Sequence, residues 1–225
     1  MRTRKKPKFK LPNKLITDYR LSYSARRLGA VIYSRRNALG AYRKSLEGLA
    51  RLSRLSVPTV QKAVAQLEQA GYISHKRNYV YDYDLKRVVY AQNTYLCSLD
   101  YSGGFTLIPH SLLEKRLTPA AFTVSLYIFQ QMGNSDRAWP KIRDIITALT
   151  SGRATVCRAL AAIRTMGVML VLRCKKRNRA YTSNSYHPLT GYRTAASDMF
   201  QASEHSAIPW TRSAPGTFNR TDPSC

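Results

Sequence analysis

The chain has 225 residues, 37 Lys and Arg against 12 Asp and Glu, and a formal net charge of +25. Hydrophobic residues make up 44%, which supports real cores and excludes a disordered polycation. A charge this large costs self-repulsion unless a polyanion receives it, so nucleic acid leads as the partner and an anionic membrane surface is the weaker candidate. From residue 191 on, Arg193, Arg212 and Arg220 are offset by Asp198, Glu204 and Asp222, so the excess sits in residues 1–190. No run of about 18 apolar residues could span a bilayer, and the basic N-terminus lacks the apolar centre of a signal peptide. The expected location is cytoplasmic, on a bacterial nucleoid, with no membrane partner. Cys97, Cys157, Cys174 and Cys225 form no Cys-x-x-Cys, and His75, His110, His187 and His205 are scattered singly. Neither a metal site nor a cofactor is expected from such spacing.

In chain order, residues 1–8 form a basic arm without periodicity. It reads equally as a solvated tail or as an arm that tracks phosphates or enters a minor groove. Phe9-Lys-Leu-Pro12 in strand-like spelling opens a first unit (9–98). Ser22 caps a helix with apolar positions three to four apart through Ile32, and Ser45–Ala50 forms a short second helix. Ser56-Val-Pro58-Thr59-Val60 starts the third, with a cap, a Pro in the first turn and a closing glycine at Gly71. Val60, Ala63, Val64, Leu67 and Ala70 make its buried face. The period then falls towards two, so Tyr72–Tyr83 and Val88–Tyr95 read as a hairpin with its tip at Asp84–Arg87.

Everything then repeats about 96 residues later in a second unit (99–188). Phe105-Thr-Leu-Ile-Pro109 matches the entry, Thr118-Pro119 the first cap, Lys141–Ile146 the second helix, and Thr155-Val156-Cys-Arg-Ala159-Leu160 through Gly167 the third. Asn184-Ser-Tyr186 answers Asn93-Thr-Tyr95 at the end of a shorter hairpin with a basic tip at Lys175–Arg179. Beyond Pro188 periodicity fails, and residues 189–225 read as a disordered tail.

Three helices followed by a hairpin is the winged helix-turn-helix plan. The run Ser56-x-x-Thr59-Val60-x-x-Ala63-x-x-x-Leu67-x-x-x-Gly71-Tyr-Ile73 and its second copy resemble that superfamily. The resemblance implies a mainly α fold with small β wings, arranged as two tandem winged helix-turn-helix domains. The entry pattern, Phe-x-(x)-Leu/Ile-Pro then Leu-Ser/Thr-x-x-Ala, is similar to helix-turn-helix proteins of plasmids, phages and mobile elements. Many of those are replication initiators or related regulators. The implied partner is double-stranded DNA, with host replication or transcription machinery recruited to it and a homodimer left open.

On that plan the third helices enter the major groove. In the first unit Ser56, Pro58, Thr59, Gln61, Lys62 and Gln66 are the candidate contacts, with Gln61 suited to adenine and Lys62 to guanine or phosphate. In the second, Arg153, Thr155 and Arg158 are the candidates, the arginines suited to guanine. Thr59 and Thr155 read either as phosphate contacts or as backbone caps. The hairpins would hold flanking phosphates through Lys76, Arg77, Lys86 and Arg87, and through Arg173, Lys175, Lys176, Arg177 and Arg179. Tyr79, Tyr81 and Tyr83 alternate along a strand; packing of the wing on its own unit outweighs stacking on unpaired bases. Catalysis is not expected. There is no Gly-x4-Gly-Lys-Ser/Thr loop, no His-x-His pair beside a tyrosine, and Asp82 with Asp84 reads as turn chemistry. The two functional readings are replication initiation and transcriptional regulation.

Overall fold

Lys8-Phe-Lys-Leu-Pro12 alternates charged and apolar residues, the pattern of a strand with one buried side, and it forms β1 (Lys8–Pro12). Its partner is its own repeat. β5 (Phe105–Pro109) runs antiparallel to it, with Lys10 opposite Leu107 and Leu11 opposite Thr106. Residues 106 and 107 are the counterparts of 10 and 11, so the register is self-complementary, as across a two-fold axis. The structure, a computed structural model, describes residues 8–175 and 181–189, for 173–175 and 181–182 the backbone alone. The described residues form one compact unit. The expected arm up to Pro7, the wing tip at Lys176, Arg177 and Arg179, and the tail from Thr190 lie outside them.

In the first copy β1 leads through α1 (Asn13–Thr17) into α2 (Tyr23–Arg35), then β2 (Ala41–Lys44), α3 (Leu46–Ser53), α4 (Val57–Gln69) and the hairpin β3 (Ile73–Asp82) with β4 (Arg87–Cys97). The second copy runs β5, α5 (Ser111–Glu114), α6 (Pro119–Met132), α7 (Ile142–Leu149), α8 (Arg153–Thr165), β6 (Met169–Lys175) and β7 (Tyr181–Pro188). The capping residues act as their types dictate. Ser22 Oγ accepts from Ala25 N (3.2 Å), Thr118 Oγ1 from Ala121 N (3.2 Å) and Ser45 Oγ from Gly48 N (3.1 Å).

The sheets require a correction. Among the described residues 45% are helical and 27% lie in strands, distributed over three sheets. The fold is mixed α/β, not mainly α with small β wings in two tandem winged helix-turn-helix domains. Three features account for the difference. The entry strands pair with each other, β2 adds a third strand to the first hairpin in the order β2-β4-β3, and β3 and β4 are 10 and 11 residues long. In the second copy the equivalent of β2 shrinks to one bridge, Ala138 with Tyr186. The helix–helix–hairpin order inside each copy remains compatible with a winged helix.

The core is continuous across the two copies. α2 packs on α4, α6 on α8, and α2 against α6, while α1 reaches α6 and α7 of the other copy. From the other side, α5 lies beside α2 and α3, where Arg54 Nη2 donates to the Glu114 carbonyl (2.8 Å). Residues Ala25–Tyr33 of α2 and Ala121–Phe129 of α6 are buried without interruption. A helix covered all round sits inside a fold rather than on it. Arg27 is buried in this seam, its guanidinium donating to the Leu117 carbonyl and lying 5.2 Å from the Phe122 ring centroid. Burial, then Arg54, pushes it down to about 10, so it stays protonated at neutral pH.

Asp18, just after α1, accepts from Arg20 and from the Tyr72 hydroxyl (3.0 Å). The Arg20 hydrogen bond holds its carboxyl below the usual range. Its stabilising contribution is present above pH about 4 and is lost as acid titrates it. Leu67→Ala in α4 and Ile163→Ala in α8 each remove a fully buried side chain and should cost about 2–5 kcal/mol. Because both residues belong to one core, differential scanning calorimetry should show a single transition lowered by either variant. Two separately shifted transitions would mean that the copies unfold independently.

Candidate nucleic-acid interface

Helices α4 and α8 start from matched turns. Arg54 (φ 55°) and Thr150 (φ 49°) hold left-handed backbone at equivalent positions, ending α3 and α7. Leu55 N donates to Ala50 O (3.0 Å) and Ser151 N to Ile146 O (3.0 Å), closing the two junctions alike. That conformation costs about 1–2 kcal/mol for a residue with a Cβ, and it sets the sharp angle at which each third helix leaves the second. Val60, Ala63, Val64 and Leu67 anchor α4 in the core, and Val156, Ala159, Leu160 and Ile163 anchor α8.

The opposite faces stay open. Pro58, Gln61 and Lys62 on α4, and Arg153 and Arg158 on α8, are exposed. Arg158 Nε makes a long contact to Ala154 O within its own helix (3.4 Å). Ser56 and Thr59 are partly committed to the helix start: Ser56 Oγ accepts from Thr59 N (3.4 Å), and the two hydroxyls lie 2.7 Å apart. Thr155 is half-buried at the equivalent position, and Gly152 takes the cap without a side chain. Gln66 is drawn inward. Its Oε1 accepts from Ser22 N (3.3 Å) and Ser22 Oγ (2.7 Å), tying the last turn of α4 to the start of α2. Sequence reasoning passed over Ala65 and Ala161, exposed alanines at the same place on the two helices, and over exposed Arg164. A small residue there leaves the helix backbone open to close approach, and the matched alanines were visible in the repeat itself.

The first hairpin is fixed to α4 by Glu68, whose carboxylate accepts from His75 N (3.1 Å) and bonds His75 Nδ1 (3.0 Å). Ten residues of β3 extend it about 30 Å at the usual strand rise, close to one turn of B-form DNA. Lys76 and Arg77 point to opposite faces of this ribbon, since neighbouring strand residues alternate. Lys86 (φ 48°) and Arg87 are exposed at the far tip, where Asp82 Oδ1 accepts from Asp84 N and Leu85 N (both 3.0 Å). The hairpin therefore does not gather its four cations in one place. Nor do the tyrosines pack on their own unit. Tyr79 is 57% exposed, Tyr81 51% and Tyr83 84%. Instead Tyr79 meets Tyr90 and Tyr81 meets Tyr83, edge to face, because the hairpin extends beyond the helices that could cover it. In the second hairpin the Arg173 and Lys175 side chains, like Lys176, Arg177 and Arg179, fall outside the described residues.

Among the described residues no group of three His, Cys, Asp or Glu could hold a metal ion, and no helix is long and apolar enough to cross a membrane. Cys97 is buried, its thiol pushed up to about 12 by desolvation, while Cys157 is exposed on the outer face of α8. No protein-family model matches the chain, and no curated protein matches its sequence.

The commitment of Gln66 to Ser22 separates scaffold from surface. Gln66→Ala should cost about 1 kcal/mol of stability, measured by urea denaturation, and leave the ranking of duplex sequences in a binding competition unchanged. An altered ranking with unchanged stability would assign Gln66 to the ligand.

Proposed function

We propose that the chain is a sequence-specific double-stranded DNA-binding protein that lays α4 and α8 in major grooves and its hairpins along flanking backbone, as winged-helix proteins do. One observation carries the reading. On both third helices the apolar stripe is consumed by the core, while Gln61, Lys62, Arg153 and Arg158 remain exposed. Such side chains have the donor forks and amides that distinguish base edges. The net charge of +25 supplies the backbone attraction and on-rate that groove reading needs.

The self-complementary seam shapes the site. Units related across a two-fold axis read half-sites in opposite directions. Gln61 and Lys62 differ from their counterparts Cys157 and Arg158, so the two half-sites are inverted but unlike. The entry pattern of each unit supports replication initiation on a mobile element, with host machinery recruited to the bound site. The inverted geometry favours the second reading, a regulator seated on an operator. Footprinting on the DNA around the coding gene separates them: direct repeats beside an AT-rich stretch indicate initiation, and an imperfect inverted repeat over a promoter indicates regulation. Protection of no site at all would refute both.

Arg158→Ala should weaken the specific complex by about 1–3 kcal/mol and relax selectivity at one base position, read by fluorescence anisotropy against a set of singly substituted duplexes. A loss of equal size on every duplex would make Arg158 a phosphate contact.

A further inference from the structure

Near the base of the first hairpin, Arg77 and Tyr79 of β3, Tyr90 and Asn93 of β4, and Leu46 of α3 line an open cleft of about 260 Å³. The strand register puts the four hairpin residues on one face, Arg77 opposite Asn93 and Tyr79 opposite Tyr90. The bulge after Asn78 keeps that face aligned where the hairpin leaves the core. Tyr79 and Tyr90 meet edge to face, centroids 6.2 Å apart, and both rings remain substantially exposed.

Asn93 is the informative member. It is 3% exposed, its Nδ2 donates to the Tyr95 hydroxyl (2.9 Å), and its Oδ1 has no partner. Buried acceptors left unsatisfied are rare in folded proteins and call for an explanation. Asn184 Nδ2 makes the same bond to Tyr186 (3.2 Å) in the second copy, so the amide–phenol pair belongs to the scaffold. What the first copy adds is a buried, unpartnered carbonyl oxygen on a residue that lines an aromatic cleft.

The chemistry of the wall selects the occupant. A phosphate would meet Arg77, but also the Asn93 carbonyl and the field of Glu47, which adds to burial in raising the Tyr90 phenol. An N–H donor suits those acceptors. A flat ring suits the tyrosines. A nucleobase offers both, and Arg77 on the same face of the hairpin is exposed to meet a phosphate of its strand. Stacking of bases on aromatic side chains beside a basic track is how single strands are held.

We propose that this cleft binds an unpaired, amine-bearing base of single-stranded DNA, the ring against Tyr79 and Tyr90 and the exocyclic amine on Asn93 Oδ1. The proposal rests on the nucleic-acid reading above but not on the outward faces of α4 and α8. The test is fluorescence anisotropy of the full chain with labelled oligo(dC), oligo(dT) and a fully paired duplex. The wild type is compared with a Tyr79→Ala, Tyr90→Ala double variant and a Tyr79→Phe, Tyr90→Phe double variant, circular dichroism verifying the fold of each. Loss of stacking should weaken oligo(dC) binding by about tenfold or more in the Ala variant. The Phe variant should recover it, and duplex binding should change less than twofold. Wild type should prefer oligo(dC), which has the amine, over oligo(dT). Equal affinity for the two strands, or an Ala variant that binds oligo(dC) as wild type does, would overturn the proposal. Wild type that holds oligo(dC) in this manner yet binds no duplex would refute groove reading and uphold the cleft.

Discussion

The structure depends on covering two helices that have no solvent face. Nine consecutive residues of α2, Ala25–Tyr33, and nine of α6, Ala121–Phe129, are buried. One unit's own third helix and entry strand can cover only part of such a surface; the rest must be met by the other copy. Removal of these side chains from water favours joining the copies at about 25 cal/mol for each Å² of apolar area. Polar members of the seam are accommodated rather than excluded. Thr123 and Ser125 bond back to Pro119 O (3.0 Å) and Ala121 O (2.9 Å), and Arg26 Nη2 reaches Asp18 O (2.8 Å).

With the seam satisfied, each third helix has one apolar stripe left to bury and one face left over. That division lets a strongly basic chain fold at all. Among the described residues the cations are kept at the periphery, on outer helix faces, the hairpin and the junctions, where water screens their mutual repulsion. Arg26 and Arg27 are the exceptions, and both guanidiniums are held down by desolvation. The two hairpins have diverged in what they carry. The first has a third strand, a carboxylate tether at Glu68 and an aromatic face; in the second Arg164 and Val171 stand where Glu68 and His75 stood.

The helices were legible because each of their signals is local. Caps at Ser22, Ser45, Ser56 and Thr118 and the terminal glycines at 71 and 167 lie within a turn of the residues they organise. The pairing of β1 with β5 was not, because five residues of alternating pattern do not say which distant strand completes them. A clue existed in α6, whose run Ala121–Phe129 carries no charged residue and so has no natural solvent side. β2 was hidden for the same reason as β1, Ala41–Lys44 being too short to show a period. For the candidate interface, exposure of Gln61, Lys62 and Arg158 follows from helical phase. The engagement of Gln66 with Ser22 requires knowing that α2 begins beside α4, which no spacing reveals. Asn93 was visible only as a repeated Asn-x-Tyr; that its carbonyl lacks a partner is a property of the folded cleft.

The antiparallel pairing of β1 with β5 has the form of a seam between the two chains of a dimer, but here one continuous backbone carries both strands. A dimer held by mass action falls apart on dilution, at a concentration set by its dissociation constant. Here the second half travels with the first at a fixed effective concentration, so the association of the two halves does not depend on dilution. It also frees each half to mutate without imposing the same change on the other.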